Sequence, residues 1–141
     1  MLPLIRAITV LTFMLVASKA AVEADVPTSQ KAALDGLHFQ GRTGEQGKGD
    51  HHEDVITFEN GLFRSLDCEN WGFGPAPYTV TKKGNSYHFS ATLLSADRGK
   101  LEWNGTITDD TAEAAFRWLH ERWYWTIDRQ YWFKGKRDID Q

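Results

Sequence analysis

The single cysteine, Cys68, stands between two carboxylates in Asp67-Cys68-Glu69, and a run of metal-capable side chains, Asp50-His51-His52-Glu53-Asp54, precedes it. A lone thiol has three chemistries open to it: nucleophilic attack where a base lowers its pKa, a disulfide to a second chain, or packing as a small apolar residue. Asp67 and Glu69 disfavour the thiolate, and no Cys-x-x-Cys or Cys-His-Asn pattern surrounds it. The leading expectation is a thiol packed under Trp71 and Phe73 beside the Gly72-Phe73-Gly74-Pro75 turn; a reactive or intermolecular thiol is the alternative. A transition-metal site needs ligands converging on one point, whereas adjacent histidines in an extended segment point to opposite sides. The acidic, His-containing run is therefore expected to be a solvated loop, and no catalytic residue, metal or cofactor is assigned. Gly41 to Lys48 fails as a phosphate loop: its spacing is one residue too long, Gly49 replaces the Ser/Thr, and no helix follows.

The other chemistry-bearing feature is aromatic. The chain holds 6 Trp, 4 Tyr and 8 Phe. Trp103, Phe116, Trp118, Tyr131, Phe133 and Tyr87 are the candidates for lining a pocket for a flat or apolar ligand, with Arg117 or Arg129 as polar fixtures. The same rings would equally serve to fill a core.

These side chains must be positioned by strands. Helix signals are nearly absent after residue 36, while turn signals recur roughly every eight to twelve residues. Asn60-Gly61 suits a type I′ hairpin turn, which needs positive φ at both central positions. Lys83-Gly84-Asn85, Asp97-Arg98-Gly99 and Asp109-Asp110 punctuate the rest. Between them the chain alternates: Tyr87, Phe89, Ala91 and Leu93 share one face; Leu101, Trp103, Gly105 and Ile107 another; Ala112, Ala114, Phe116 and Trp118 a third. Thr111–Trp125 also fits a helical stripe through Ala112, Ala115, Phe116 and Leu119, which leaves a helix open there. The expected fold is all-β: a single up-and-down antiparallel β-barrel of about seven or eight strands over residues 35–137, since closure removes the two exposed edges of a meander. An open meander or sandwich is the alternative. The Gly-rich stretch Arg42–Glu53, carrying His51 and His52, reads as a long polar loop.

Residues 1–20 read as a signal peptide, with Arg6 before an apolar run too short to span a bilayer and Ser18-Lys19-Ala20 as the cleavage site; cleavage after Ala24 fits as well. Residues 21–34 then form a flexible lead-in. The chain of 141 residues carries a net charge of −3, and losing Arg6 and Lys19 makes it more acidic. That balance argues against nucleic acid and against anionic membrane surfaces as partners, and the absence of a second long apolar segment argues against a membrane span after cleavage. An exported protein, periplasmic or extracellular, is expected.

Leu34-Asp-Gly-Leu-His-Phe39-Gln-Gly41, Phe63-Arg-Ser-Leu-Asp-Cys68, Gly72-Phe73-Gly74-Pro75, Trp103-Asn-Gly105 and Tyr131-Trp132-Phe133-Lys-Gly135 together resemble a group of small exported bacterial proteins of unknown role, over roughly residues 34–136. More distantly, the domain is similar to lipocalin-like barrels, although Leu37-His38-Phe39 stands where those carry Gly-x-Trp. That second resemblance implies non-catalytic binding of a small apolar or aromatic ligand, with residues 42–53 as a lid bearing His51 and His52. The alternatives are an envelope interaction or structural module using exposed aromatics such as Trp123 and Trp125, or a Cys68-linked dimer, with a metal-binding or thiol-dependent enzyme behind them.

Overall fold

The computed structural model describes residues 33–139. The expected signal peptide, its alternative cleavage site and residues 21–32 of the lead-in lie outside the described residues. Eight strands follow one another: β1 (His38–Glu45), β2 (His51–Glu59), β3 (Leu62–Ser65), β4 (Ala76–Lys83), β5 (Ser86–Ser95), β6 (Gly99–Thr108), β7 (Thr111–Arg122) and β8 (Trp125–Arg137). One short helix, α1 (Leu66–Asn70), connects β3 to β4. Each strand pairs antiparallel with the next, and β8 returns to β1, with Gly41 opposite Gly135 and Thr43 opposite Phe133. The result is a closed up-and-down barrel, with its narrowest seam at the short β3, which pairs with β4 only through Leu62 opposite Pro77 and Phe63 opposite Ala76.

Closure depends on the turns. Asn60 and Gly61 both adopt positive φ, 52° and 75°, as the type I′ hairpin between β2 and β3 requires. Gly84-Asn85 and Asp109-Asp110 make the corresponding turns between β4 and β5 and between β6 and β7. Those three turns mark one end of the barrel, its base. The β1–β2 connection, α1, the Ala96–Arg98 turn and the β7–β8 turn mark the other, its mouth.

Every strand places one face inside. Phe39, Ile56, Phe58, Phe63, Tyr78, Val80, Phe89, Ile107, Ala112 and Phe133 are buried toward the base and middle. Phe58 is the hub, with its ring centroid 4.9 Å from Phe89, 5.0 Å from Tyr78 and 5.4 Å from Phe63. The segment entering β1 seals the base: Leu34 is fully buried, and Asp35 accepts hydrogen bonds from the Tyr78 hydroxyl (2.6 Å) and the Gly61 amide (3.1 Å). Residue 34, placed by the sequence in a flexible lead-in, is thus part of the core. The outer face carries Glu102, Asn104, Thr106, Glu113, Arg117 and Lys134. An apolar interior and a polar exterior are the reverse of a membrane-spanning barrel. Among the described residues no helix is long and apolar enough to cross a membrane.

Three local points are settled. Thr111–Arg122 is a strand, as its alternation predicts, and the helix left open there does not form: burial of Ala112 and Phe116 beside Ile107 of the facing strand follows the two-residue period. Residues 42–53 do not form a long lid, because β1 runs to Glu45 and β2 starts at His51, with Gly44 paired to His51 and Thr43 to His52. The remaining connection, Gln46–Asp50, is tied to the wall by the Gln46 amide bonding to the Gln130 carbonyl at 2.8 Å. Finally, Cys68 lies in a short helix whose start Ser65 caps: the Ser65 hydroxyl accepts from the Cys68 amide at 3.1 Å.

Candidate functional site

Toward the mouth, the interior is not filled. A cavity of about 290 Å³ lies beneath α1, at the small end of ligand pockets, which run to roughly 300–1,000 Å³. Its walls come from five strands, the roof helix and two connections. Thr43 and His52 are contributed by β1 and β2, Cys68 by α1, and Trp71 and Phe73 by the segment after it. Leu101, Phe116, Trp118, Arg129 and Tyr131 come from β6, β7 and β8, and Arg98 from the turn before β6. Larger depressions on the outer face, around Asn104, Thr106, Ala115 and Trp132 and around Thr79, Ser90 and Glu102, are shallow and open to solvent.

The wall is aromatic because inward positions of β6, β7 and β8 fall opposite one another. Trp103 pairs with Phe116 and Phe116 with Tyr131. Their rings stack nearly parallel, at 4.1 Å and 11° and at 5.1 Å and 10°. Trp103, 1% exposed, stacks behind Phe116 and lies outside the cavity lining. Its buried indole N–H finds no nitrogen or oxygen acceptor and lies beside the Cys68 sulfur, a weak acceptor. Trp118 is fixed by its indole N–H donating to the Arg98 carbonyl at 2.7 Å. Burial pushes the Tyr131 hydroxyl above its ordinary pKa, with the adjacent Arg129 guanidinium opposing.

The roof is held by a polar network. Asp54, 3% exposed, accepts from the Ser65 hydroxyl (2.7 Å) and the Asp67 amide (2.9 Å), which fixes the first turn of α1. Burial raises the Asp54 pKa, and these two hydrogen bonds oppose the rise. At the rim, the His52 Nε2–H donates to Asp67 Oδ2 at 2.7 Å, joining β2 to the helix. Arg98 lies 5.4 Å from the centroid of the Trp71 ring, so the turn before β6 and the segment after α1 meet across the mouth.

Cys68 faces this cavity and is 3% exposed. Burial, with Asp54 and Asp67 adding to it, pushes its thiol up to about 12. It is therefore a neutral thiol at physiological pH, without a base to activate it. Among the described residues no group of three or more His, Cys, Asp and Glu is placed to hold a metal ion.

Of the ring residues singled out in the sequence, Phe116, Trp118 and Tyr131 line the cavity; Trp103 is stacked behind Phe116 and does not reach it. Phe133 is fully buried below it in the core, and Tyr87 sits on the opposite half of the barrel under Lys82, 5.7 Å away. His52 lines the rim, whereas His51 faces outward, accepting from Arg42 at 2.7 Å and packing edge-on against Trp132. Of the two arginines considered, Arg129 reaches the cavity, while Arg117 is held outside by a bidentate pair with Asp128 at 2.7 and 2.8 Å. Thr43, Leu101, Asp67 and Arg98 were not singled out. Leu101 shares the inward face of Trp103 and was legible by alternation; Arg98 is a turn residue and left no signal. No family model, curated protein or solved structure matches this chain.

Proposed function

We propose that this protein is an exported, non-catalytic binding protein that takes a small apolar or aromatic ligand into the cavity beneath α1. The observation that carries the reading is the cavity itself: an otherwise densely packed barrel leaves about 290 Å³ open at one end, walled by Phe73, Leu101, Phe116, Trp118 and Tyr131. The chemistry around it favours binding over catalysis, since the only thiol is buried and neutral and the His52–Asp67 pair is engaged in holding the roof. Export rests on the charged, apolar and small-residue order of residues 1–20 and on the resemblance to small exported bacterial proteins. Intact mass of the protein recovered from cells tests that part: cleavage after Ala20 or Ala24 is expected, and an uncleaved chain overturns export.

The binding test is a fluorescence titration with the neutral probe 2-acetylnaphthalene, read through the cavity tryptophans. Saturable quenching is expected, and Leu101→Phe, which places a ring in the cavity, should weaken it while the barrel still melts cooperatively. Absence of saturable quenching in the wild-type protein overturns the reading.

A second surface supports a protein contact as the alternative. Trp123, Tyr124 and Trp125 cap the β7–β8 hairpin with 95%, 54% and 48% of their surface exposed, and successive rings touch at 5.1 and 6.1 Å. Contiguous exposed aromatic rings of this kind mark contact sites. A photo-crosslinking residue at position 123 should give one adduct of defined mass in intact cells; free protein alone counts against this contact.

A further inference from the structure

The cavity's mouth carries positive charge that the protein itself leaves unpaired. Arg98 and Arg129 both line it, and among the described residues neither forms an ion pair. The neighbouring carboxylates are already engaged. Asp67 accepts from His52, Asp128 takes Arg117, Glu102 takes Lys100 at 3.0 Å, and Glu45 lies 4.0 Å from Lys48. Asp97 and Glu121 stand outside the cavity lining. Two guanidinium groups at the opening of an apolar chamber, with every lining carboxylate occupied, provide a complement to an anion. Below them the chamber is walled by aromatic rings: Phe116 is stacked on both faces, by Trp103 and by Tyr131, and can meet a ligand only with its edge, while Tyr131 is stacked on one face.

Resting on the reading of this cavity as a binding site, we infer that its ligand is a small aromatic acid, whose planar body packs against Tyr131 and the edge of Phe116 and whose carboxylate meets Arg98 and Arg129. The assignment divides the work. Ring stacking and exclusion of water hold the body, while the guanidinium forks hold the head and set its direction, acid outward. Arg98 is already steadied over Trp71, so its fork loses little freedom on binding. A cationic ligand would meet like charge from Arg98 and Arg129 at this mouth.

The test uses three naphthalenes that share one body: 2-naphthoate, neutral 2-acetylnaphthalene and cationic 2-naphthylmethylamine, titrated into the purified protein by tryptophan fluorescence at low and high salt. Naphthoate should bind about tenfold tighter than the neutral probe at low salt, with that advantage shrinking as salt rises, and the amine should bind weakest. Arg98→Gln with Arg129→Gln should bring naphthoate down to the level at which the same variant binds the neutral probe, costing naphthoate about tenfold more than it costs the neutral probe. Arg129→Lys should recover part of the difference. If the neutral probe binds as tightly as naphthoate, or the double variant weakens both alike, the aromatic-acid inference is overturned and the cavity reading survives. If none of the three binds, both fall together.

Discussion

The Ser65 hydroxyl donates to Asp54 Oδ2 across 2.7 Å inside the barrel wall, and the same oxygen accepts the Cys68 amide at 3.1 Å. One hydroxyl therefore partners a buried carboxylate and caps the helix that roofs the cavity. Ser65→Ala leaves the carboxylate short of a donor and the helix without its cap. The expected cost is about 2–3 kcal/mol in chemical denaturation, with Ser65→Thr losing much less. A loss below about 0.5 kcal/mol would show that the roof is held by something else.

Asp54 makes this network sensitive to pH. Its carboxyl is raised above the ordinary value by burial, so the folded state binds this proton more tightly than the unfolded chain does. For a raised acid the sign is fixed. The stabilisation is fully present below the unfolded carboxylate pKa, near 4, and is lost as pH rises through the folded value. The stability difference between wild type and Asp54→Asn should therefore shift toward the variant as pH rises through this range and toward wild type as it falls. A wild-type advantage that grows with rising pH would reverse the assignment.

Cys68 is predicted to be inert in the folded protein. With the thiol pushed up to about 12, the thiolate fraction at pH 8 is on the order of one in ten thousand, and burial blocks access as well. A disulfide-exchange reagent such as 5,5′-dithiobis(2-nitrobenzoate) should label native protein only as fast as the mouth opens and label unfolded protein at once. Rapid stoichiometric labelling of the native state would reinstate the reactive or intermolecular thiol.

The barrel was legible because its signal is repetitive. Alternation on β5, β6 and β7 and the Asn60-Gly61, Gly84-Asn85 and Asp109-Asp110 turns are local, and each points to the same architecture. The polar stretch after Gly41 misled for a non-local reason. Its strand character comes from pairing with β8, about ninety residues away, where Thr43 lies opposite Phe133 and its hydroxyl donates to the Trp132 carbonyl at 2.8 Å. Helix α1, Leu66–Asn70, is too short to show a period; Ser65 three residues before Cys68 was its one local mark. The site was half legible for a related reason. Alternation tells which rings point inward and not how deep each lies, because depth depends on the stagger of strands around the barrel. Tyr87, Trp103 and Phe133 thus share a face with Phe116, Trp118 and Tyr131 but not the cavity.

The aromatic hairpin tip should be dispensable for folding. Trp123 is 95% exposed, and the Arg122–Tyr124 hydrogen bond at 2.9 Å lies wholly outside the barrel. Replacing Trp123 and Trp125 with Ser together is expected to change stability by less than about 0.5 kcal/mol and to leave cavity binding intact. A larger loss, measured by denaturation, would make these rings part of the fold and remove the reason to regard them as a contact surface.

The packed base and the open mouth can be separated by one glycine. A Cβ on Gly105 would lie 2.4 Å from the Phe89 ring and 2.9 Å from Ala114 Cβ. Phe89 cannot withdraw, because Phe58 and Phe63 hold its other sides at centroid distances of 4.9 and 5.4 Å. Gly105→Ala is therefore expected to destabilise the barrel by about 1–3 kcal/mol despite the small size of a methyl group. Combining it with Phe89→Leu, which vacates the position the methyl needs, should cost less than the sum of the two single changes, as contacting sites couple. Ligand affinity in the folded fraction should be unchanged in all three variants, since neither residue reaches the cavity. Additive costs would mean the ring yields without strain; a change in affinity would mean that the packing at the base sets the shape of the mouth.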